Sequence, residues 1–491
     1  MSSAVLIEWA LLLPLIGAVG IALAWRAPNL REAVTLTTAG ALFWVVVLTL
    51  LPRVLDGERP TVSLTEPFPG IAIAFTIEPL GMIFGAVAST LWIVNSIYSI
   101  GYMRGNNEPR QTSFYVCFAV AIAAALTVAF ADNLVTLFLG YEILTISTYP
   151  LVTHKGTEEA KAKGRIYLVL LIATSMILLM PAIVWTQVAA GTTVFAPGGI
   201  LAGAGLSTAA LGTMLALYIF GIGKAAVMPV HFWLPAAMVA PTPVSALLHA
   251  VAVVKAGVFT VVKVVVYVFG VDYLAQSGAG DWLVYLAGFT ILTASVIALM
   301  QDNLKKRLAF STVSQLSYVV MATAVLTPIS VVGAAMHIAA HAVSKITLFF
   351  AAGSIYTAGH LTEISQLDGV GRRMPWTMGA FAIGALSMIG IPPTAGAVSK
   401  FVMLEGSFQA SDWVGVAVIV LSTCLNAAYF LPIIWRAFWR APPEATVAHP
   451  AHGEGPLPVV LALTITAFGT LALFFMPGVT YALATQMIQV P

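Results

Sequence analysis

Apolar residues occupy this chain in long blocks separated by short polar breaks, and period-two alternation is confined to one short stretch. A helix needs roughly 20 apolar residues to cross the hydrocarbon of a bilayer. Blocks of that size recur near residues 4–25, 33–52, 79–101, 113–130, 133–153, 165–188, 209–236, 243–270, 281–300, 308–326, 330–357, 376–408, 411–437 and 456–485. The pattern predicts an all-α polytopic membrane protein with about fourteen transmembrane spans. Two stretches interrupt it. Residues 53–77 hold several prolines and the alternating segment IAIAFTI, which predicts a short hairpin on the outer side. Residues 189–208, rich in Gly and small apolar residues, read as a loop or a shallow re-entrant piece. The first block, about Ala4 to Trp25, has no basic residue before it and exceeds a signal core in length, so it is expected to be a retained helix.

Composition agrees. Of 491 residues, 60% are hydrophobic and 9% charged, and the mean hydropathy of +0.96 lies far outside the range of water-soluble proteins. A net charge of +2 gives no reason to expect a nucleic-acid partner. Cys117 and Cys424 fall inside apolar blocks, far apart, so neither a disulfide framework nor a CxxC site can be read. No cofactor or metal is implied.

Charge instead informs topology. Loops after odd-numbered spans hold fifteen Lys or Arg, from Arg26 to Arg440, whereas loops after even-numbered spans hold only Arg53 and Arg59. Because short-loop Lys and Arg concentrate on the cytoplasmic side, both termini are expected outside, in a bacterial-type inner membrane. The rest of the 22 basic residues are Lys224, Lys255, Lys263, Lys345 and Lys400, all within spans.

A lysine at mid-membrane costs about 2.5–3.5 kcal/mol on insertion scales, which makes each a functional candidate. Lys263 is the weakest of these candidates, since it lies about two turns from the outer end of its span, where its stem could instead snorkel to the interface. Among the acids, Glu142 in DNLVTLFLGYEILTISTYPLV stands near mid-membrane beside Thr145, Ser147 and Thr148. It is either a helix-packing or ion-pair partner, or a carboxylate that tunes a buried lysine. Asp132, Asp302 and Asp412 fall at span ends and are expected to be solvated.

The segment HIAAHAVSK puts His337, His341 and Lys345 at i, i+4 and i+8, along one helix face about 6 Å apart in rise, as a proton ladder requires. Structural histidines are the alternative; the zincin pattern fails because Ile338 stands where Glu is needed. His249 and Lys255 lie on one span but about 120° apart around it, so each must pass a proton to water or to another helix. The stretches IFGIGKAAVMPVHFWLPAAM and SMIGIPPTAGAVSKF both place Gly and Pro interruptions close to a lysine, Lys224 and Lys400. Broken membrane helices beside a charge point to transport sites in inverted-repeat proteins. The breaks fall in spans seven and twelve, an odd separation, which predicts that spans 4–8 and 9–13 are inverted repeats. Domain limits follow at 1–110, 111–270, 271–437 and 438–491. GIGKA is no phosphate loop, since Tyr218 and Ala225 replace the required Gly and Ser or Thr.

The segments KAAVMPVHFWLPAAMVAPTPVSALLHAVAVVKAGVF, QDNLKKRLAFSTVSQLSYV and HIAAHAVSKITLFFAAGSI resemble the motifs of the proton-translocating antiporter family shared by respiratory complex I and Mrp-type sodium/proton antiporters, over roughly residues 79 to 437. YEILTISTYPLVTHKGT and the overall length look most similar to the D-type component of the Mrp antiporter, and the absence of a further C-terminal amphipathic helix agrees. The resemblance implies a proton-loading pair Glu142 and Lys224, a relay through His249, Lys255, His337, His341 and Lys345, and an outer exit at Lys400. In one departure, Ala236 stands where the family commonly has Asp after WLP. It implies a proton-translocating subunit of a multisubunit Na⁺ or K⁺/H⁺ antiporter, embedded in lipid with other membrane subunits. The alternatives are a pumping subunit of a complex I-like, NADH-quinone oxidoreductase-type or membrane-bound hydrogenase assembly, or a membrane subunit of an inorganic-carbon uptake system. A pure scaffold accounts poorly for five lysines in the spans.

Overall fold

The structure, a computed structural model, describes residues 2–68, 70–441 and 453–489. Seventeen helices are numbered here in chain order, leaving short helical turns unnumbered: α1 Ser3–Leu23, α2 Pro28–Leu55, α3 Pro79–Gly105, α4 Gln111–Phe130, α5 Leu134–Val152, α6 Glu158–Ala190, α7 Thr208–Gly221, α8 Val230–Val239, α9 Thr242–Phe269, α10 Asp281–Met300, α11 Leu304–Ala324, α12 Pro328–Gly359, α13 Pro375–Ile389, α14 Ala395–Gln409, α15 Trp413–Trp439, α16 Leu457–Phe475 and α17 Gly478–Ile488. Among the described residues, eleven helices are long and apolar enough to cross a membrane. Adding α11, which is long but more polar, and counting α7 with α8 and α13 with α14 as single broken spans gives the fourteen units the sequence pattern predicts. This is an all-α, multi-pass membrane protein.

Local chemistry fixes the helix ends. Asn133, Thr157 and Asn303 accept hydrogen bonds from Thr136, Ala160 and Lys306 backbone N–H groups and so start α5, α6 and α11. Gly390, at φ +98°, ends α13 in a conformation that favours glycine. Residues 61–76 form the expected hairpin, β1 (Thr61–Phe68) pairing antiparallel with β2 (Ile71–Thr76). Residues 191–207 form a loop held by backbone bonds from Ile200 and Leu201 to Tyr267 and Val268 at the end of α9. The sixth span starts at Glu158, earlier than the apolar block suggests, because the Thr157 cap and the acidic first turn favour a helix N-terminus there.

Burial orders the helices from the centre outward. The apolar stretch of α9 is 100% buried and that of α12 is 94% buried, against 28% in α6 and 33% in α16. The two central helices carry six of the sequence-marked groups: His249, Lys255 and Lys263 on α9, and His337, His341 and Lys345 on α12. Polar residues on these helices are therefore removed from lipid by the surrounding bundle. The end caps also revise the reading of the acids: Asp132 accepts from Thr76, Asp302 from Ser365, and Asp412 caps α15 through Gly415 N. These carboxylates tie loops together rather than merely standing in solvent.

Candidate functional site

The seventh span breaks at Lys224. Helix α7 stops at Gly221, residues Gly223–Ala225 make one tight turn, and Ala226 takes a left-handed conformation at φ +56°. Side chains satisfy the exposed backbone groups: Trp233 Nε1 donates to Gly223 O at 2.9 Å, and Lys224 N donates to the Tyr141 hydroxyl at 3.0 Å. Gly257 on α9 lets that helix press against the Lys224 backbone, where a Cβ would have no room.

The Lys224 ammonium donates to Tyr141 O at 2.8 Å and Thr145 Oγ1 at 2.6 Å, and lies 3.1 Å from the Tyr141 ring centroid. Both carboxylate oxygens of Glu142 are buried without a hydrogen-bond partner. The acid and the lysine are thus neighbours on an open pair, with the ammonium held by α5 groups one residue before and three residues after the acid.

A second cluster lies on α12 and its neighbours. Lys255 Nζ and His341 Nδ1 are 2.7 Å apart, a hydrogen bond that joins α9 to α12. The His341 and His337 rings stand 6.0 Å apart. His337 Nε2 is 3.2 Å from Gln315 Oε1, which can only accept, so that nitrogen carries a proton. Its Nδ1 is 2.9 Å from Ser399 Oγ on α14. Gln315 in turn donates to Met388 O at 3.3 Å, and Lys400 donates to the same carbonyl at 2.6 Å.

Lys345 takes a different branch. It donates to Ser311 Oγ at 2.8 Å, the Ser311 hydroxyl is bonded to the Tyr429 hydroxyl at 3.1 Å, Tyr429 donates its one proton to Asn426 Oδ1, and Asn426 Nδ2 donates to Met388 O at 3.4 Å. The two branches therefore meet at one carbonyl, at the free end of α13 beside the twelfth-span break. His337, His341 and Lys345 share a helix as the spacing predicts, but only the histidines continue one another; Lys345 turns to α11.

Other marked residues are arranged differently. His249 sits in a π-helical turn, Leu247–Val251, and neither ring nitrogen has a partner. Lys263 is fully buried, forms an ion pair with Glu78, donates to Ala131 O at 2.6 Å and faces Phe195. Snorkelling is thereby excluded for Lys263, since an acid on α3's leading edge receives it inside the protein. Ala236 lines a cavity of about 920 Å³ at the lysine-rich end of the molecule, together with Lys155, Lys163, Lys305 and Lys306. Next to it, burial and the Arg110 charge push His154 down to about 4, and burial raises Glu108. Among the described residues, no three His, Cys, Asp or Glu side chains converge as a metal site would need.

Sequence reasoning missed Ser311, Gln315, Tyr429, Asn426, Tyr141 and Ser399. A signal existed in STVSQLSYVV, where polar residues recur through an otherwise apolar span and keep α11 below the hydropathy of its neighbours.

Comparisons with known proteins agree with this architecture. Residues 131–426 match the family described as NADH:quinone oxidoreductase/Mrp antiporter, TM. The chain is 31% identical to NADH-quinone oxidoreductase subunit N of Desulforudis audaxviator over 398 residues, 79% of this chain and 77% of that protein. A subunit in the structure of the Mrp complex from Dietzia sp. superposes with a TM-score of 0.87 at 22% identity, covering 99% of this chain and 97% of that one. A chain of the membrane-bound sulfane sulfur reductase, an archaeal respiratory membrane complex, superposes at 0.86 with 21% identity, covering 99% and 98%. Those two likenesses speak to fold. With three-fifths of the chain inside the family match and the broken-span lysines within it, the chain belongs to the NADH:quinone oxidoreductase/Mrp antiporter membrane family, as a proton-translocating antiporter-like subunit.

Proposed function

We propose that this chain is the D-type, proton-translocating subunit of a multisubunit monovalent cation/proton antiporter, exchanging protons for Na⁺ or K⁺ in company with other membrane subunits. The observation that carries the reading is the row of buried polar groups in which Lys255 is bonded to His341, the His337 ring stands 6.0 Å further along α12 and is bonded to Gln315, and Gln315, Lys400 and the Lys345 branch meet at Met388 O. Spans 4–8 (residues 111–270) and 9–13 (271–437) act as inverted repeats around it, flanked by 1–110 and 438–491. The fifteen-to-two loop charge asymmetry supports both termini facing outward from a bacterial inner membrane, with the lysine-rich cavity cytoplasmic.

In this scheme Glu142 and Lys224 load the proton. When Lys224 swings from Tyr141 O and Thr145 to the Glu142 carboxylate, an ion pair forms whose attraction is about 4 kcal/mol at contact and an effective dielectric constant near 20. That exceeds two orders of magnitude in proton occupancy, so the closed pair holds the proton on Lys224 and its opening releases it onward to His249 and Lys255, through the α12 groups, and out at Lys400. A second reading, a pumping subunit of a redox assembly, has support from the relative named NADH-quinone oxidoreductase subunit N.

Purifying the complex with all its chains separates the two. Small hydrophobic partner subunits and a vesicle pH response to NaCl or KCl are expected; iron–sulfur partners and a response to electron donors would replace the antiporter reading with the redox one. Lys224→Ala and Glu142→Ala should each abolish cation-coupled proton movement in an assembled complex. Normal coupled transport by assembled Lys224→Ala would overturn the loading role.

A further inference from the structure

We propose that a lateral groove between α14 and α15 takes a long-chain carboxylate from the bilayer, with its head group on Lys400 and its alkyl tail along the groove. The groove has a volume of about 580 Å³ and is walled by Ile389, Phe401, Ile419, Val420, Cys424 and Phe474, with Lys400 among them. That volume lies within the roughly 300–1,000 Å³ of small-ligand pockets. Phe401 and Val420 are 67% and 51% exposed, whereas Ile389 and Lys400 are 2% and 5% exposed. The groove therefore runs inward from the lipid-facing surface to a buried lysine.

The break in the twelfth span makes that lysine reachable. Gly390 ends α13 at φ +98°, and a Cβ there would stand 3.0 Å from Lys400 Cδ, crowding the lysine stem where it lines the groove. Ala397 and Val398, in the first turn of α14, line the same groove, so the positive end of that helix dipole faces it. The Lys400 ammonium donates to Met388 O at 2.6 Å and Ile389 O at 3.3 Å and lies 4.5 Å from the Tyr318 ring centroid. None of these partners is a carboxylate. Ionised groups inside a membrane protein pair with opposite charge, and an anion is what this site is short of.

The walls and the depth select what carries the anion. Lipid tails are as apolar as the groove, so an acyl chain gains little by moving from one to the other; the head group decides occupancy. Lys400 stands nine residues before the end of α14, about 14 Å of rise. A phospholipid, whose phosphate stays at the interface, cannot bring its charge to that depth, whereas a free fatty acid crosses lipid in its neutral form. Its O–H proton passes to the neutral Lys400 amine, leaving an ammonium–carboxylate pair with no change in net charge. On the proton-transport reading, on which this consequence alone rests, the bound acid keeps a proton on Lys400 and acts as a brake at the outer exit.

The test reads binding and not transport. The intact complex in lipid nanodiscs is irradiated with a C16 fatty acid carrying a diazirine in its tail, and the labelled residues are located by mass spectrometry. Label is expected on α14 and α15 around Phe401, Val420 and Cys424, displaced by palmitic acid and not by methyl palmitate, which has the same chain without the acid. Lys400→Gln should lower the labelling about tenfold or more, as loss of a charge-assisted hydrogen bond requires. Cys424→Trp, which fills the groove and leaves Lys400 in place, should do the same and serves should Lys400→Gln fail to assemble. Equal displacement by methyl palmitate would show ordinary lipid packing, and label unchanged in both variants would show that neither the lysine nor the groove matters. Absence of label with Cys424 cross-linking to another subunit would show a protein partner in the groove. Each of these overturns the proposal and leaves cation-coupled proton movement to be judged separately.

Discussion

Replacing Ser311 by Ala removes a single oxygen from the centre of the Lys345 branch. That hydroxyl accepts from Lys345 Nζ at 2.8 Å and is bonded to the Tyr429 hydroxyl at 3.1 Å, and all three groups are buried. A hydrogen bond to a charged group contributes about 1.5–3 kcal/mol to net stability, and the Tyr429 hydroxyl retains Asn426 as a partner. The loss therefore falls chiefly on protonated Lys345. At about 1.4 kcal/mol per factor of ten, any step that needs a proton resting on Lys345 becomes roughly 10- to 150-fold less populated. The volume change is one oxygen atom, so assembly of the complex should persist. The assay is dye-reported proton movement in everted vesicles containing the whole complex, started with NaCl or KCl and normalised to the amount of this chain. Ser311→Ala should lower the initial rate by about ten- to a hundredfold, with Ser311→Thr recovering most of it. A wild-type rate from assembled Ser311→Ala would show that protons do not dwell on Lys345, and the Met388 O junction would lose one of its branches.

Two further outcomes follow from groups outside the relay. Lys263→Ala leaves Glu78 buried without its cation, so the complex should lose about 3–5 kcal/mol of stability; adding Glu78→Ala should restore most of it in a thermal or denaturant series, and a double variant no more stable than Lys263→Ala would contradict a structural pair. His154 is held near 4, below its usual 6.5, by burial and by Arg110, so its contribution to stability is complete above about pH 6.5 and is lost as pH falls towards 4. His154→Leu should flatten that part of the pH–stability profile, measured by proteolysis at the 153–157 turn; an unchanged slope would refute the assignment.

How much of this could be read without coordinates depends on the kind of residue. Lysines and acids announce themselves against apolar blocks, because each costs several kcal/mol to insert, and Gly or Pro near Lys224 and Lys400 marked both breaks. Ser311, Gln315, Tyr429 and Asn426 give no comparable signal: uncharged polar residues are common in membrane helices, and their role depends on which way each helix faces. Rotation is set by packing between helices, as where Gly257 lets α9 meet the Lys224 turn. For the same reason spacing put Lys345 on one ladder with the histidines, while the neighbouring α11 hydroxyl drew it onto another. Lys263 is the converse case. Its height in the span suggested an interface anchor, and its acid, Glu78, lies 185 residues away in sequence, beyond any local pattern.

The distribution of acids separates the five lysines by role. Lys263 has Glu78 bound to it, which suits a tie between α9 and α3. Among the described residues, the hydrogen bonds of Lys255, Lys345 and Lys400 go to an imidazole, a hydroxyl and two backbone carbonyls. Like charges in such an interior repel by several kcal/mol at close range, so on the proposed reading these three cannot all hold protons together, and charging one favours discharging its neighbour. Lys224 alone has an acid within reach but not in hand, Glu142, whose oxygens are unpaired while the ammonium rests on Tyr141 and Thr145. On the proposed reading, a single movable contact at one end of a row of mutually repelling sites gates the protons that the coupled cation gradient drives along it. The closed pair at Lys263 offers no such movable contact, because its ammonium is already bound to Glu78 and Ala131 O.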